Sequence, residues 1–447
     1  MTTKAQNFTS KHSVILKVAT ITVLILLLLI PTSMIRFLIS ERKERQTEAV
    51  KEVGAKWGEA QTLLGPVLTV PYKSFDLDKN GQKINIVTHN AFFLPEELNI
   101  TGSINPETRY RGIFEIAVYN AKLNFAGKFN NPDFSGFKNI EIMAEKAFVT
   151  FGITDMRGIK ELIQFKWNNE NYVCESGTEI DNVINSGVTI KIPEIEKDDS
   201  DIYIFSFDIS LNGSKNISFI PVGKETNVKL SSSWNDPSFD GAFLPDERTI
   251  NESGFTSSWK ILQFNRNFSQ NWIDKYVDFS SSAFGVSLIL PVDMYQKSDR
   301  SVKYAILFIT LTFVVFFFIE ILKKIKVHPI QYILIGVGLC LFYLMLLSLS
   351  EQIKFEYAYL IASAGIIGLL TFYSKSVFKN YGLPLLLSGV LIILYAFIYV
   401  LLQSEDYALL MGSLGLFLVL AIIMFLSRKI NWYSINTTNN KENQENN

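Results

Sequence analysis

Apolar positions along this chain fall into two regimes. From residue 304 to 427 they form nearly unbroken runs, whereas from 41 to 303 they are interleaved with polar and charged residues. A helix needs roughly 20 apolar residues to cross a bilayer, because backbone groups inside hydrocarbon must be paired within the segment. Six stretches meet that need: 18–35, 304–322, 329–350, 357–374, 380–404 and 407–427, the second interrupted only by Glu320. The first sits behind Lys4, Lys11 and Lys17, as a signal peptide would, but it lacks a small-x-small site, and "TSMIRFLISERKER" continues its helical pattern. It reads as an uncleaved anchor.

The short connections alternate in charge. Lys323, Lys324 and Lys326 follow the second span, "EQIKFE" is acidic, "SKSVFKN" carries Lys375 and Lys379, Glu405 and Asp406 come next, and Arg428 and Lys429 open the tail. Short basic loops stay in the cytoplasm. The pattern therefore predicts cytoplasmic termini, with residues 41–303 in the periplasm. The cluster "ERKER" after the first span points the other way, but glutamates dilute it and five later boundaries outvote it.

Within the polar insert, Ala49, Val50, Val53, Trp57 and Ala60 share a helical face, predicting a juxtamembrane helix over 41–64 that Gly65-Pro66 stops. Trp57 there either anchors at the membrane interface or docks on the following domain. Beyond it the period becomes two, in "IFEIAVYNAKLNFAGKF", "GVTIKI", "DIYIFSFDISLNG", "NISFIPV" and "TNVKLSSSW", with a turn signal at Asn80-Gly81. The expected architecture is six transmembrane α-helices with a large, mainly antiparallel β domain, periplasmic, inserted between helices one and two. That domain is placed at 65–300, in one or two sandwich-like lobes, after an N-terminus and first helix at 1–40. A five-helix bundle follows at 301–430, and a disordered cytoplasmic tail at 431–447. "AFFLPEELNITG" (91–102) and "GAFLPDERTINESG" (241–254) echo one another and hint at a duplicated β unit.

Composition narrows the chemistry. A net charge of -1 and a pI near 6.4 give no reason to expect nucleic acid as a partner. His12, His89 and His328 are too scattered for a histidine zinc site. Cys174 and Cys340 fall in different solvents, so no disulfide is expected between them, and Cys174 reads as structural or as a stray thiol. Serine-hydrolase, zincin, phosphate-loop and C-x-x-C motifs do not occur, and no catalytic, cofactor-binding or metal residue is nominated. Arg111-Gly112 and Arg157-Gly158 offer guanidinium groups that either clamp a lipid phosphate or a partner's carboxylate, or close a turn by an internal salt bridge. Ionisable residues are scarce in the spans. Glu320 is expected to pair with Lys323 and Lys324, three and four residues on. Glu351, Lys354, Glu356, Glu405 and Asp406 fall near the outer face, as a polar rim or as ordinary wet loop residues. Glycines in "GIIGLL", "GVGLC" and "GSLGLF" are expected to bring helices close.

The segments "EVGAKWGEAQTLLGPVLTVPY", "RYRGIFEIAVYNAKL", "SSSWNDPSFDGAFLP", "FGVSLILPVDMYQKSDRSVKYAILFITLTF", "HPIQYILIG", "LLSLSEQIKFEYAYLIA" and "LLQSEDYALLMGS" closely resemble the CreD family over about residues 10–433. That resemblance implies a bacterial inner-membrane protein of cell envelope integrity, linked in some bacteria to the Cre two-component regulon, colicin tolerance and β-lactam phenotypes. It brings no assigned catalytic or binding residues. The positions it marks are Arg109, Arg111, Trp234, Pro237, Asp293, Arg300, His328, Glu351, Glu405 and Asp406. His328-Pro329 reads as a helix start. Asp293 and Arg300 lie where the domain feeds the second span, and Arg300 is expected to pair with Glu351 or Glu405.

Three functions compete. The leading one is a non-enzymatic envelope or stress-response module, in contact with membrane lipids, whose β domain engages a periplasmic or inner-membrane protein or a lipid. A transporter or lipid exporter is the second, favoured by five packed spans and opposed by their apolar middle. A lipid- or cell-wall-modifying enzyme using outer-face carboxylates is the third.

Overall fold

The computed structural model describes residues 13–168, 170–180, 183–193, 195, 202–289, 294–323, 325, 327–378, 382–404 and 407–428. Asp293, Glu405, Asp406, Lys324, Lys326 and the tail 431–447 lie outside the described residues. The chain folds as two compact units, Met1–Arg45 with Val292–Asn447, and Gln46–Pro291.

The first helix, α1 (Ser13–Trp57), is a single run of 45 residues that contributes to both units. Pro31 lies inside it, and Thr32 and Ser33 return their hydroxyls to the carbonyls of Leu29 and Ile30.

In the membrane unit, α1 is joined by α2 (Met294–Lys303), α3 (Ala305–Lys323), α4 (Pro329–Ser350), α5 (Phe355–Phe378), α6 (Gly382–Gln403) and α7 (Ala408–Ser427). Six helices, all but α2, are long and apolar enough to cross a membrane. Residues 294–300, assigned from sequence to the β domain, are instead helical. Their polar and apolar positions segregate at helical spacing, burying Tyr295, Ser298, Ser301 and Val302. Glycines set some of the packing. A Cβ on Gly336 would lie 2.1 Å from Leu28 of α1, and one on Gly415 would lie 2.4 Å from Phe397 of α6. Gly368 of "GIIGLL" meets nothing within 4 Å, contrary to its expected packing role, because it borders the groove described below.

The second unit is a β-sandwich. Its ten-stranded sheet runs β14 (Pro237–Gly241), β18 (Phe284–Leu288), β12 (Asn216–Phe219), β1 (Gln61–Leu77), β6 (Phe148–Ile153), β10 (Gly187–Lys191), β9 (Glu175–Ser176). Strands β2 (Lys83–Phe93) and β5 (Ile140–Ile142) also pair with β1, and β17 (Asn271–Ile273) pairs with β2. The eight-stranded sheet runs β15 (Glu247–Asn251), β16 (Gly254–Leu262), β13 (Glu225–Ser232), β3 (Glu97–Arg111), β4 (Phe114–Asn130), β11 (Ile202–Ser214), β7 (Gln164–Trp167), β8 (Glu170–Val173). Pairing is antiparallel except for β1 with β12 and β3 with β13. One hydrophobic core, including Phe125, Phe151, Phe207, Trp259 and Phe284, is shared by the two sheets. Both echoing segments carry the chain from the ten-stranded to the eight-stranded sheet, the first between β2 and β3, the second from β14 to β15 and β16.

The juxtamembrane helix expected to reach residue 64 ends at Trp57. Gly58 takes φ +146°, where a Cβ would stand 2.5 Å from the Asn212 carbonyl oxygen, and β1 begins at Gln61. Gly65-Pro66 therefore lies inside a strand, at a register shift between Leu64 and Val67, rather than at a helix end.

Candidate functional site

Three of the arginines selected from sequence converge on the last turns of α1. Strand β4 buries one face in the sandwich core and turns Phe114, Ile116 and Val118 the other way, where Ala49, Val50, Val53 and Trp57 of α1 cover them. Trp57 thus docks on the β unit rather than serving as an interfacial anchor. Its indole N–H donates to Tyr119 O at 3.3 Å, and the Arg109 guanidinium stacks 3.6 Å from its ring centre. Arg111 holds Glu52 through two hydrogen bonds of 2.9 and 3.1 Å.

Arg157 donates to the Ala55 carbonyl at 2.8 Å, to Glu59 at 2.9 Å and to Asp155 at 2.8 Å. A cation on the terminal carbonyls of a helix satisfies an orphan acceptor and complements the helix dipole. Asp155, only 7% exposed, also accepts from the backbone N–H of Glu59 and of Arg157. Burial pushes its carboxyl up, but the hydrogen bonds from Arg157 and from the two backbone amides outweigh this and hold it below the usual range. All three arginines thus have partners within the β unit: Arg157 pairs locally with Asp155, whereas Arg111 reaches Glu52, 59 residues away on α1, instead of closing its own turn. Trp234 is likewise internal, its indole N–H donating to Asp236 O and Ile289 O at 3.2 and 3.0 Å, just before Pro237 opens β14.

The polar rim lies at one end of the membrane unit and draws on α1 and α2 more than the sequence suggested. Asp299 accepts from Arg36 and Lys303, both at 2.9 Å. Burial raises the Asp299 carboxyl, but these two cations hold it below the ordinary carboxylate range. Glu351 accepts from the Tyr295 hydroxyl at 3.2 Å and pairs with Arg42 at 3.7 Å, while Arg300 donates to the Ser404 carbonyl at 3.4 Å. Lys297 bonds Gln403 at 3.1 Å and lies 3.9 Å from Glu356.

At the other end Glu320 corrects a sequence expectation. It is 4% exposed and turns inward, accepting from Lys17 of α1 at 2.5 Å, from the Val327 N–H at 3.0 Å and from the Tyr332 hydroxyl at 3.1 Å. Burial in a span demands such a full set of partners, and α1, α4 and the loop before α4 supply it. His328 caps α4, accepting from the Ile330 N–H at 3.3 Å.

Two concavities stand out. Between α5 and α6 a groove of 1070 Å³ extends from Glu356 to Lys375 on one helix and from Pro384 to Tyr399 on the other, with almost wholly apolar walls. On the β unit a cleft of 720 Å³ lies between Phe93, the 133–137 segment and residues 267–281. Its far wall is fastened in place. Arg266, buried and pushed down to about 10 by that burial, donates to the carbonyls of Phe268 and Val222, and Gln270 donates to Pro95 O at 2.6 Å. Asp274 accepts from the Asn90 N–H at 2.9 Å and contacts His89, closing the same strand edge. Sequence reasoning nominated none of the cleft residues, which come from three separated segments without a motif.

Burial pushes the Cys174 thiol up to about 11, which argues against a nucleophilic role. Among the described residues no group of three His, Cys, Asp or Glu side chains is placed to hold a metal ion.

Comparison with known proteins agrees with this architecture. The family model described as Inner membrane protein CreD matches residues 13–433. The Inner membrane protein CreD of Escherichia coli (strain K12) is 33% identical over 431 residues, covering 94% of each chain. A six-span chain with a β-sandwich inserted after its first helix, matched over nearly its whole length, belongs to the CreD family of inner membrane proteins.

Proposed function

We propose that this protein is a non-catalytic envelope module whose β unit faces the periplasm and binds an envelope component there, while six helices hold it in the membrane. The observation that carries this reading is the 720 Å³ cleft, which falls within the roughly 300–1,000 Å³ range of small-ligand sites and combines aromatic walls with polar side chains. Arg111 and Arg157, which would otherwise suggest a phosphate clamp, are engaged with Glu52 and the Ala55 carbonyl of α1. The orientation rests on the alternation of basic and acidic loops.

A photocrosslinking side chain at Tyr276 or Asn271 in the full chain, activated in growing cells, is expected to trap an adduct. The same group at Leu162, 93% exposed and not part of the cleft lining, is expected to trap none. Equal labelling from all three positions, or from none, overturns the reading. A lipid-handling role is the second reading, favoured by the long apolar groove between α5 and α6. It gains if a crosslinker at Phe372, inside that groove, captures one lipid species in excess of its share of the membrane.

A further inference from the structure

The chemistry of the cleft points to one ligand class. Tyr276 lines it 72% exposed, with no side-chain partner among the described residues. Behind it Trp272, half-buried, stacks on the buried Phe92 at 5.1 Å. Phe137 contributes a third ring, held at 5.5 Å from Tyr72. Aromatic faces carry partial negative charge and attract weakly positive C–H groups laid flat against them.

Between the rings are polar groups left to act. Asn267, Asn271 and Lys275 line the cleft and have no side-chain partner among the described residues. Asp133 and Asp278 each place one carboxylate oxygen on a local backbone N–H, of Ser135 and Ser280 respectively. Two carboxylates and one ammonium do not favour an anion, so a phosphate or sulfate ligand is opposed. Nor does the lining suit an acyl chain, because burying several amide and carboxylate groups against hydrocarbon leaves them unpaired. What matches is a molecule with C–H faces and a hydroxyl or amide edge: a sugar ring.

We propose that this cleft binds uncharged hexopyranose units of an envelope polysaccharide, stacked on Tyr276 and Trp272 and hydrogen-bonded by Asn271, Asn267 and Lys275. The inference rests on the binding-module reading and specifies its ligand. The asparagine side chains can each donate and accept at adjacent sugar hydroxyls.

The test uses the full chain in lipid nanodiscs, free of glucoside and maltoside detergents. Trisaccharides of N-acetylglucosamine and of glucose are titrated while tryptophan fluorescence is followed. Saturable binding of either is expected. Tyr276→Ala should weaken it about tenfold, the worth of one aromatic contact. Phe264→Ala, which removes an exposed ring outside the cleft, should leave it unchanged. Preference for the first sugar identifies an acetamido contact, and preference for the second a purely hydroxyl one. Asn271→Ala provides a second variant at an exposed position, with a similar loss expected. If neither trisaccharide binds, or if Tyr276→Ala binds as well as the parent, the assignment is overturned. Should saccharide binding fail while Tyr276 still crosslinks in cells, only the ligand class falls. Should both fail, the binding-module reading falls with it.

Discussion

Replacing Asp155 by alanine offers a quantitative test of how α1 is fixed to the β unit. The carboxylate accepts the backbone N–H of Glu59 at 2.9 Å and of Arg157 at 3.1 Å, as well as the Arg157 side chain at 2.8 Å. A hydrogen bond to a charged group contributes about 1.5–3 kcal/mol, so stranding the two amides costs about 3–6 kcal/mol. The Arg157 side chain is 55% exposed, and its ion pair adds only the ~0–1 kcal/mol of a surface bridge. Asp155→Asn keeps the shape and one neutral acceptor, and should lose about half as much.

The assay is thermal unfolding of the full chain followed by tryptophan fluorescence, to which Trp57 contributes from the same junction. Because the folded carboxyl is held below its ordinary value, its stabilisation is fully present above about pH 3.9, the unfolded value, and is lost as pH falls through the folded one. The gap between parent and Asp155→Ala should therefore be constant from pH 7 to about 5 and narrow in acid. An Asp155→Ala variant that melts with the parent at neutral pH, or a gap that acid leaves untouched, refutes the reasoning.

Two further substitutions probe the membrane unit. Glu320→Ala strands the Tyr332 hydroxyl and the Val327 N–H at about 1–3 kcal/mol each, and Glu320→Gln should recover part of that by keeping an acceptor; equal melting of the two variants contradicts the buried cluster. Arg42→Glu should lower the melting temperature slightly, and pairing it with Glu351→Arg should restore it. Rescue of Glu351→Arg by Arg300→Glu instead would return the pairing to the one anticipated from sequence.

What the sequence could reveal followed the range of the forces involved. Spans and strands are local patterns, so the six apolar runs and the alternation in "IFEIAVYNAKLNFAGKF" were readable without any tertiary contact. The stripe of Ala49, Val50, Val53 and Trp57 was legible for the same reason, although its partners Ile116 and Val118 were not. Glu320 was misread because helical spacing offered Lys323 three residues on, while the ion pair that forms is with Lys17, 303 residues away. The arginines were visible as unusual, but only the fold shows that Arg109, Arg111 and Arg157 face one helix end. The cleft was invisible because Phe93, Phe137 and Trp272 become neighbours only when β17 pairs with β2 beside the 133–137 segment.

The central question is whether the cleft is open to the periplasm and occupied there. Labelling of Ser281→Cys, an exposed cleft position with no part in the proposed contacts, and of Leu162→Cys, each in a Cys174→Ser background, by a maleimide that cannot cross the inner membrane decides this in intact cells. Both are expected to be labelled without opening the inner membrane, with position 281 slower in cells than in washed membranes and position 162 equally fast in both. Labelling of either only after the inner membrane is breached, or equal rates at 281 in cells and washed membranes, would contradict the binding-module reading.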